Sequence, residues 1–305
     1  MKTSYKILSL VGCFFILAFV PFKASGYIVS FLSSILMFIA LTQAWNVFSG
    51  FSGYVSFGHQ ALFGIGAYTL GIFVIKWGIS IYLSIFVAGL TTLLIAFVFG
   101  IILLRIRGPY FTILTLCFAM VVQIFMTNWD YVGGAFGMYF PAVYVLHQFY
   151  WGMLVLAFVA VLLAYRIRRC QFGLNLLAIK NDEDAANNMG VNATRAKVTA
   201  FLISALFFGL IGGLWAWNQT YINPRIAIDI NTQIMIIAMV LFGGAGTILG
   251  PLIGTVVFMI LQEILWMHYP GIFLVILGIV IVSFVRFKPE GILQLLSKWS
   301  GHKFV

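Results

Sequence analysis

Residues 81–104 read Ile81-Tyr82-Leu83-Ser84-Ile85-Phe86-Val87-Ala88-Gly89-Leu90-Thr91-Thr92-Leu93-Leu94-Ile95-Ala96-Phe97-Val98-Phe99-Gly100-Ile101-Ile102-Leu103-Leu104, and Arg105-Ile106-Arg107 follows. No charge interrupts the run, and the arginines close it. A helix needs ~20 apolar residues to cross a bilayer core, and basic residues anchor its cytoplasmic end. The run is too long, and lacks the strict alternation, for a barrel strand.

The rest of the 305 residues follows the same pattern. Hydrophobic residues make up 63% of the chain and charged residues 8%, with a mean hydropathy of +1.10. A soluble domain carries ~25% charged residues. So few charges cannot clothe a globule in water, which excludes a soluble enzyme, a disordered chain and a nucleic-acid-binding domain. Ten apolar runs stand at about 7–22, 28–48, 60–76, 81–104, 110–128, 149–165, 198–218, 232–246, 250–266 and 271–285. The third, eighth and ninth are short and Gly-rich, which predicts half-helices or re-entrant segments. The expected fold is all-α, a polytopic membrane helical bundle of about 8–10 transmembrane helices, in a single transmembrane domain over 1–305. Residues 1–26 form a signal-like first helix that is read either as a span or as a cleaved leader.

The net charge of +10 then reflects loop placement rather than nucleic acid. With the N-terminus inside and ten spans, only Lys23, Lys76 and Arg225 of the 17 Lys and Arg fall outside. So lopsided a split supports the span count and places both termini in the cytoplasm. Cys13, Cys117 and Cys170 form neither a CxxC pair nor a disulfide framework. No catalytic set and no metal spacing is present. No P-loop occurs, so any ATPase is a separate chain.

Four stretches carry candidate function. The inside loop 166–197 contains Lys180-Asn181-Asp182-Glu183-Asp184-Ala185-Ala186-Asn187-Asn188-Met189-Gly190. It reads as two short helices joined by a polar turn. Asp182, Glu183 and Asp184 start the second helix and Gly190 is its C-cap. A short amphipathic helix of this kind either docks on a partner or is an ordinary loop. In residues 46–68, Gly50, Gly53, Gly58, Gly64 and Gly66 thin the helix among Ser49, Ser52 and Ser56. A helix starting near Ser56–His59 would direct free N–H groups into a water-filled path. Close helix packing through small residues is the competing reading.

In residues 241–254, Gly243, Gly244, Gly246 and Thr247 precede Gly250-Pro251. This predicts a second helix break, with Thr247 as N-cap and Gly246, Gly250 and Gly254 on one face. Arg105-Ile106-Arg107-Gly108-Pro109-Tyr110-Phe111 starts a helix with proline in its first turn. Among lone polar residues, Glu263 is an interface carboxylate or a contact for a substrate ammonium or an external binding protein. Gln43, Asn46 and Gln123 line a path or bond between helices.

Glu183-x-Ala185-Ala186-x-x-x-Gly190 resembles the coupling loop of ABC importer permeases. Gly58-His59, Phe63-Gly64-Ile65-Gly66-Ala67-Tyr68, Arg107-Gly108-Pro109-Tyr110-Phe111, Phe242-Gly243-Gly244-Ala245-Gly246-Thr247 and Lys288-Pro289-Glu290-Gly291 resemble branched-chain amino acid ABC permease subunits. The resemblance is to the LivM type rather than the LivH type, and it covers about 28–293. It implies a fold similar to type II importer permeases and inward transport of branched-chain or other hydrophobic amino acids across a bacterial inner membrane. Lys180, Asp182, Glu183, Asp184, Ala185, Ala186 and Gly190 would couple to the ATPase. Gly50, Gly53, Ser56, His59, Gly64, Gly66, Gly243, Gly244, Gly246 and Thr247 would line the substrate pathway. The implied partners are a homologous LivH-type permease, two cytoplasmic ATPase subunits that use ATP and Mg, and an external substrate-binding protein. Urea and short-amide permeases share nearly the same motifs. An ion-coupled transporter acting alone is the alternative of a different class.

Overall fold

A computed structural model describes residues 17–140 and 145–268, with Gly12, Phe14 and Gly278. The run at 271–285 lies almost wholly outside the described residues, and the run at 7–22 and the signal-like segment 1–26 lie about half outside them. Within them, Gly26–Gly50, Ile81–Leu103, Pro109–Thr127, Leu146–Arg169, Ala193–Asn218 and Pro224–Gly243 are long and apolar enough to cross a membrane.

The elements run in this order. Helix α1 (Gly26–Trp45) continues through a π-helical turn over Asn46–Gly50. After a short loop come α2 (His59–Gly71), α3 (Ile81–Leu103) and α4 (Pro109–Thr127). Strand β1 (Met138–Tyr139) leads to α5 (Leu146–Arg169). The loop helices α6 (Gln171–Asn181) and α7 (Glu183–Asn188) precede α8 (Ala193–Asn218). Strand β2 (Tyr221–Ile222), α9 (Pro224–Ala227), α10 (Ile230–Gly243) and α11 (Leu249–His268) complete the described chain. The two strands pair antiparallel, Met138 with Ile222 and Tyr139 with Tyr221.

Helix α8 runs through the centre, and small residues let its neighbours approach. A methyl group on Gly66 would stand 2.3 Å from the Gly209 carbonyl oxygen, and one on Gly212 would stand 2.1 Å from that of Phe63. Backbones so close gain dispersion contacts where lipid supplies no hydrophobic drive between helices. Helix α3 turns Leu90, Leu94, Phe97 and Ile102 outward, an apolar face suited to hydrocarbon.

Two elements begin inside the bundle. Helix α2 starts beside the interior of α4, because the Phe57 N–H donates to Thr115 Oγ1 at 3.1 Å, nearly two turns into that helix. Helix α10 starts beside α2: Gln233 Nε2 donates to the Ser56 carbonyl at 3.3 Å. Gln60 Nε2 donates to the Ala227 carbonyl at 3.3 Å, and Gln123 Nε2 to that of Ile228 at 3.0 Å. The stretch from β2 to α10 therefore packs back against α2 and α4, and Pro224–Gly243 as a whole is of membrane-crossing length rather than a half-helix.

One expectation is corrected. Gly246 does not share a helix face with Gly250 and Gly254, because α11 begins only at Leu249 and Gly246 sits at φ +84° in the preceding turn. Gly250 and Gly254 do pack together against the end of α10 at Gly243.

Candidate functional site

The loop after α5 folds as two short helices. Asp182 Oδ1 accepts the N–H groups of Asp184 and Ala185, each at 2.9 Å, which caps α7. Gly190 closes the helix at φ +89°, a conformation that costs a side chain but not glycine. Leu176, Ile179 and Ala186 are buried and seat the pair on the bundle.

Glu183 points inward. Its Oε1 lies 2.8 Å from Lys197 Nζ and 3.4 Å from Arg107 Nε. Its Oε2 accepts the Tyr54 hydroxyl. Lys197 is only 1% exposed, and its ammonium lies 4.5 Å above the Tyr54 ring. Burial alone would raise the Glu183 carboxyl. Hydrogen bonds from Lys197 and Tyr54 and the charges of Lys197 and Arg107 outweigh it and hold the group below its ordinary value. Burial, then the bond to Glu183, pushes the Tyr54 phenol up. Arg107 also reaches Asp184 at 2.7 Å. One joint thus links α7 to α8, to the α1–α2 loop and to the α3–α4 loop. Beside it opens a cavity of ≈ 740 Å³, lined among others by Gly53, Tyr54, Gly108, Thr112, Lys180 and Glu183.

A second junction ties the two glycine-rich breaks together. Asn46 Oδ1 accepts the Gly246 N–H at 2.8 Å, and its Nδ2 donates to the Thr247 carbonyl at 2.7 Å. Gln43 Nε2 donates to the Ile248 carbonyl at 2.7 Å. Lys180 Nζ donates to the Gly50 carbonyl at 3.0 Å, and Arg168 donates to that of Gly246. Burial, then the charge of Arg168, draws the Lys180 amine down. The Thr247 hydroxyl receives the Gly250 N–H at 3.1 Å, a capping bond from just ahead of α11.

The structure therefore brings Gly50, Gly53, Gly246 and Thr247 together beside the loop after α5, with Asn46 joining the two breaks and Lys180 and Arg168 bonding to them. It places Ser56, His59, Gly64 and Gly66 in a packed seam. The His59 ring is buried against Phe48, Phe201 and Phe208. Its Nδ1 lies 3.0 Å from Ser56 Oγ. Space beside Gly64 is filled by Ile228. Gly243 and Gly244 abut the first turn of α11 at Gly250. Glu263 accepts the Tyr27 hydroxyl, joining the start of α1 to the end of α11. Sequence reasoning assigned no role to Tyr54, Lys197 or Arg168. Lys197 precedes an apolar run as any anchoring lysine does, so nothing local marks it as buried.

Membrane-length helices and a loop helix fastened to the bundle by a buried charge pair define a multi-pass membrane permease. The chain belongs to the family described as branched-chain amino acid transport system / permease component, whose model matches residues 27–285. It is 27% identical over 308 aligned residues to the high-affinity branched-chain amino acid transport system permease protein LivM of Salmonella typhimurium, spanning 90% of this chain and 72% of that protein. The protein of that name from Escherichia coli is 26% identical with the same coverage. The fructose import permease protein FrcC of Rhizobium meliloti is 30% identical over 113 residues, 36% of this chain and 31% of that one. No solved structure matches.

Proposed function

We propose that the chain is the membrane subunit of an ATP-driven importer that carries branched-chain or other hydrophobic amino acids inward. Family membership and the LivM relatives support the substrate class. The observation that carries the mechanism is the joint at Glu183. The outward face of α7, with Asp184, Ala185, Asn187 and Asn188, and with Met189 87% exposed just beyond it, is free to seat in a cleft of a cytoplasmic ATPase. The inward face passes the resulting displacement to α8 through Lys197. In this reading the basic end of the bundle faces the cytoplasm of a bacterial cell, as does each terminus. The partners are a homologous LivH-type permease, two ATPases and an external substrate-binding protein.

Purification from the native host in mild detergent, with mass spectrometry of what accompanies the chain, tests the assembly. The second permease and the ATPases are expected. Recovery of the chain alone, with transport driven by an ion gradient after reconstitution, would contradict it.

A further inference from the structure

The stretch between β2 and α10 combines irregular backbone, membrane depth and exposed polar groups. Its depth follows from the bonds of Gln60 and Gln123 to the Ala227 and Ile228 carbonyls. Arg225 and Asn231 are exposed there, and Asp229 is half-buried, so Arg225 does not sit in an outer loop as the ten-span reading expected. Asp229 cannot swing away. Its Oδ1 accepts the Asn231 N–H at 3.1 Å, and its Oδ2 accepts the Thr232 N–H and hydroxyl at 3.0 and 2.7 Å. Neither Arg225 nor Asp229 joins an ion pair among the described residues.

Hydrocarbon does not tolerate such a surface. Irregular backbone at membrane depth occurs only where protein covers it or a water-filled cavity faces it. Ionisable groups there mark solute paths. The outward face of α3 at Leu90, Leu94 and Phe97 shows the contrasting, purely apolar character of a lipid-facing surface. We infer that residues 225–234 line the aqueous path through which the solute crosses. Asp229 and Asn231 supply its polar wall, and Ile226 and Ile234, 48% and 44% exposed, supply its apolar one. A wall of that composition suits a small zwitterion with an aliphatic side chain. The inference deepens the transporter reading and rests on it.

The test uses the whole complex in proteoliposomes, with Cys13, Cys117 and Cys170 changed to serine. Asn231→Cys and Ile226→Cys are each compared with Leu94→Cys for reaction with a small charged thiosulfonate. The first two should react about tenfold faster or more, since the reagent leaves water only at great cost, and their modification should block leucine uptake. Reaction as slow as that of Leu94→Cys, or modification without effect on uptake, would overturn the inference. If the unmodified complex fails to accumulate leucine, the substrate reading fails instead. The relative reactivity of Asn231→Cys then decides whether the path lies here.

Discussion

Asn46 holds Gly246 by its backbone N–H at 2.8 Å, across 200 residues of sequence. The same amide donates to the Thr247 carbonyl at 2.7 Å, so one side chain satisfies two backbone groups of this turn. Asn46→Ala should therefore cost about 2 kcal/mol or more, the penalty for unpaired buried groups. Thermal unfolding in detergent would register the loss. An unchanged midpoint would mean that water replaces the amide.

Glu183 and Lys197 should behave as a unit. Removing one partner of a buried charge pair costs about 3–5 kcal/mol, because the other charge is left uncompensated. Glu183→Gln should loosen the hold of α7 on α8 and lower uptake. Glu183→Lys should do worse, since it adds a third cation beside Lys197 and Arg107. The exchanged pair Glu183→Lys with Lys197→Glu should recover part of the loss. A double-mutant cycle on uptake and unfolding temperature measures the coupling.

The pH dependence of that joint has a definite sign. The folded Glu183 carboxyl lies below its ordinary value, so its contribution is present above the unfolded value of about 4.3 and vanishes as pH falls through the folded one. The stability difference between wild type and Glu183→Gln should stay flat from about pH 8 to about pH 5 and shrink below about pH 4. A difference that shrinks near neutrality would place the carboxyl on the wrong side of its ordinary value.

Glycines separate into two classes. Gly66→Ala sets a methyl group 2.3 Å from the Gly209 carbonyl oxygen. Backbone must move, which should cost about 3 kcal/mol or more. Gly78→Ala meets nothing within 4 Å, although its φ is +64°, and should cost only about 1–2 kcal/mol of backbone strain. Unfolding midpoints of the two variants give the comparison.

The fold was legible because lipid imposes long apolar runs: 81–104 reads directly as α3, ending just before Arg105 and Arg107. The two short helices of the 166–197 loop were legible too, since Asp182 and Gly190 carry local capping chemistry. What local sequence could not carry was pairing at a distance. Lys197 resembles any anchoring lysine until Glu183 and Tyr54 enclose it. Gln60, Gln123 and Gln233 reveal how the stretch from β2 to α10 packs against α2 and α4 only through carbonyls 105 to 177 residues away. The glycines at 64 and 66 suited packing and pathway equally well in sequence. Only the positions of Ile228 and Gly209 show what fills the space beside them.

The most direct test of the account is uptake of labelled leucine into proteoliposomes holding this chain, its companion permease and the ATPases, with the binding protein on the face opposite α7. The account predicts accumulation against a gradient only when ATP is supplied on the α7 side, and its loss in Glu183→Gln. Accumulation by this chain alone, without ATP and driven by an ion gradient, would contradict it.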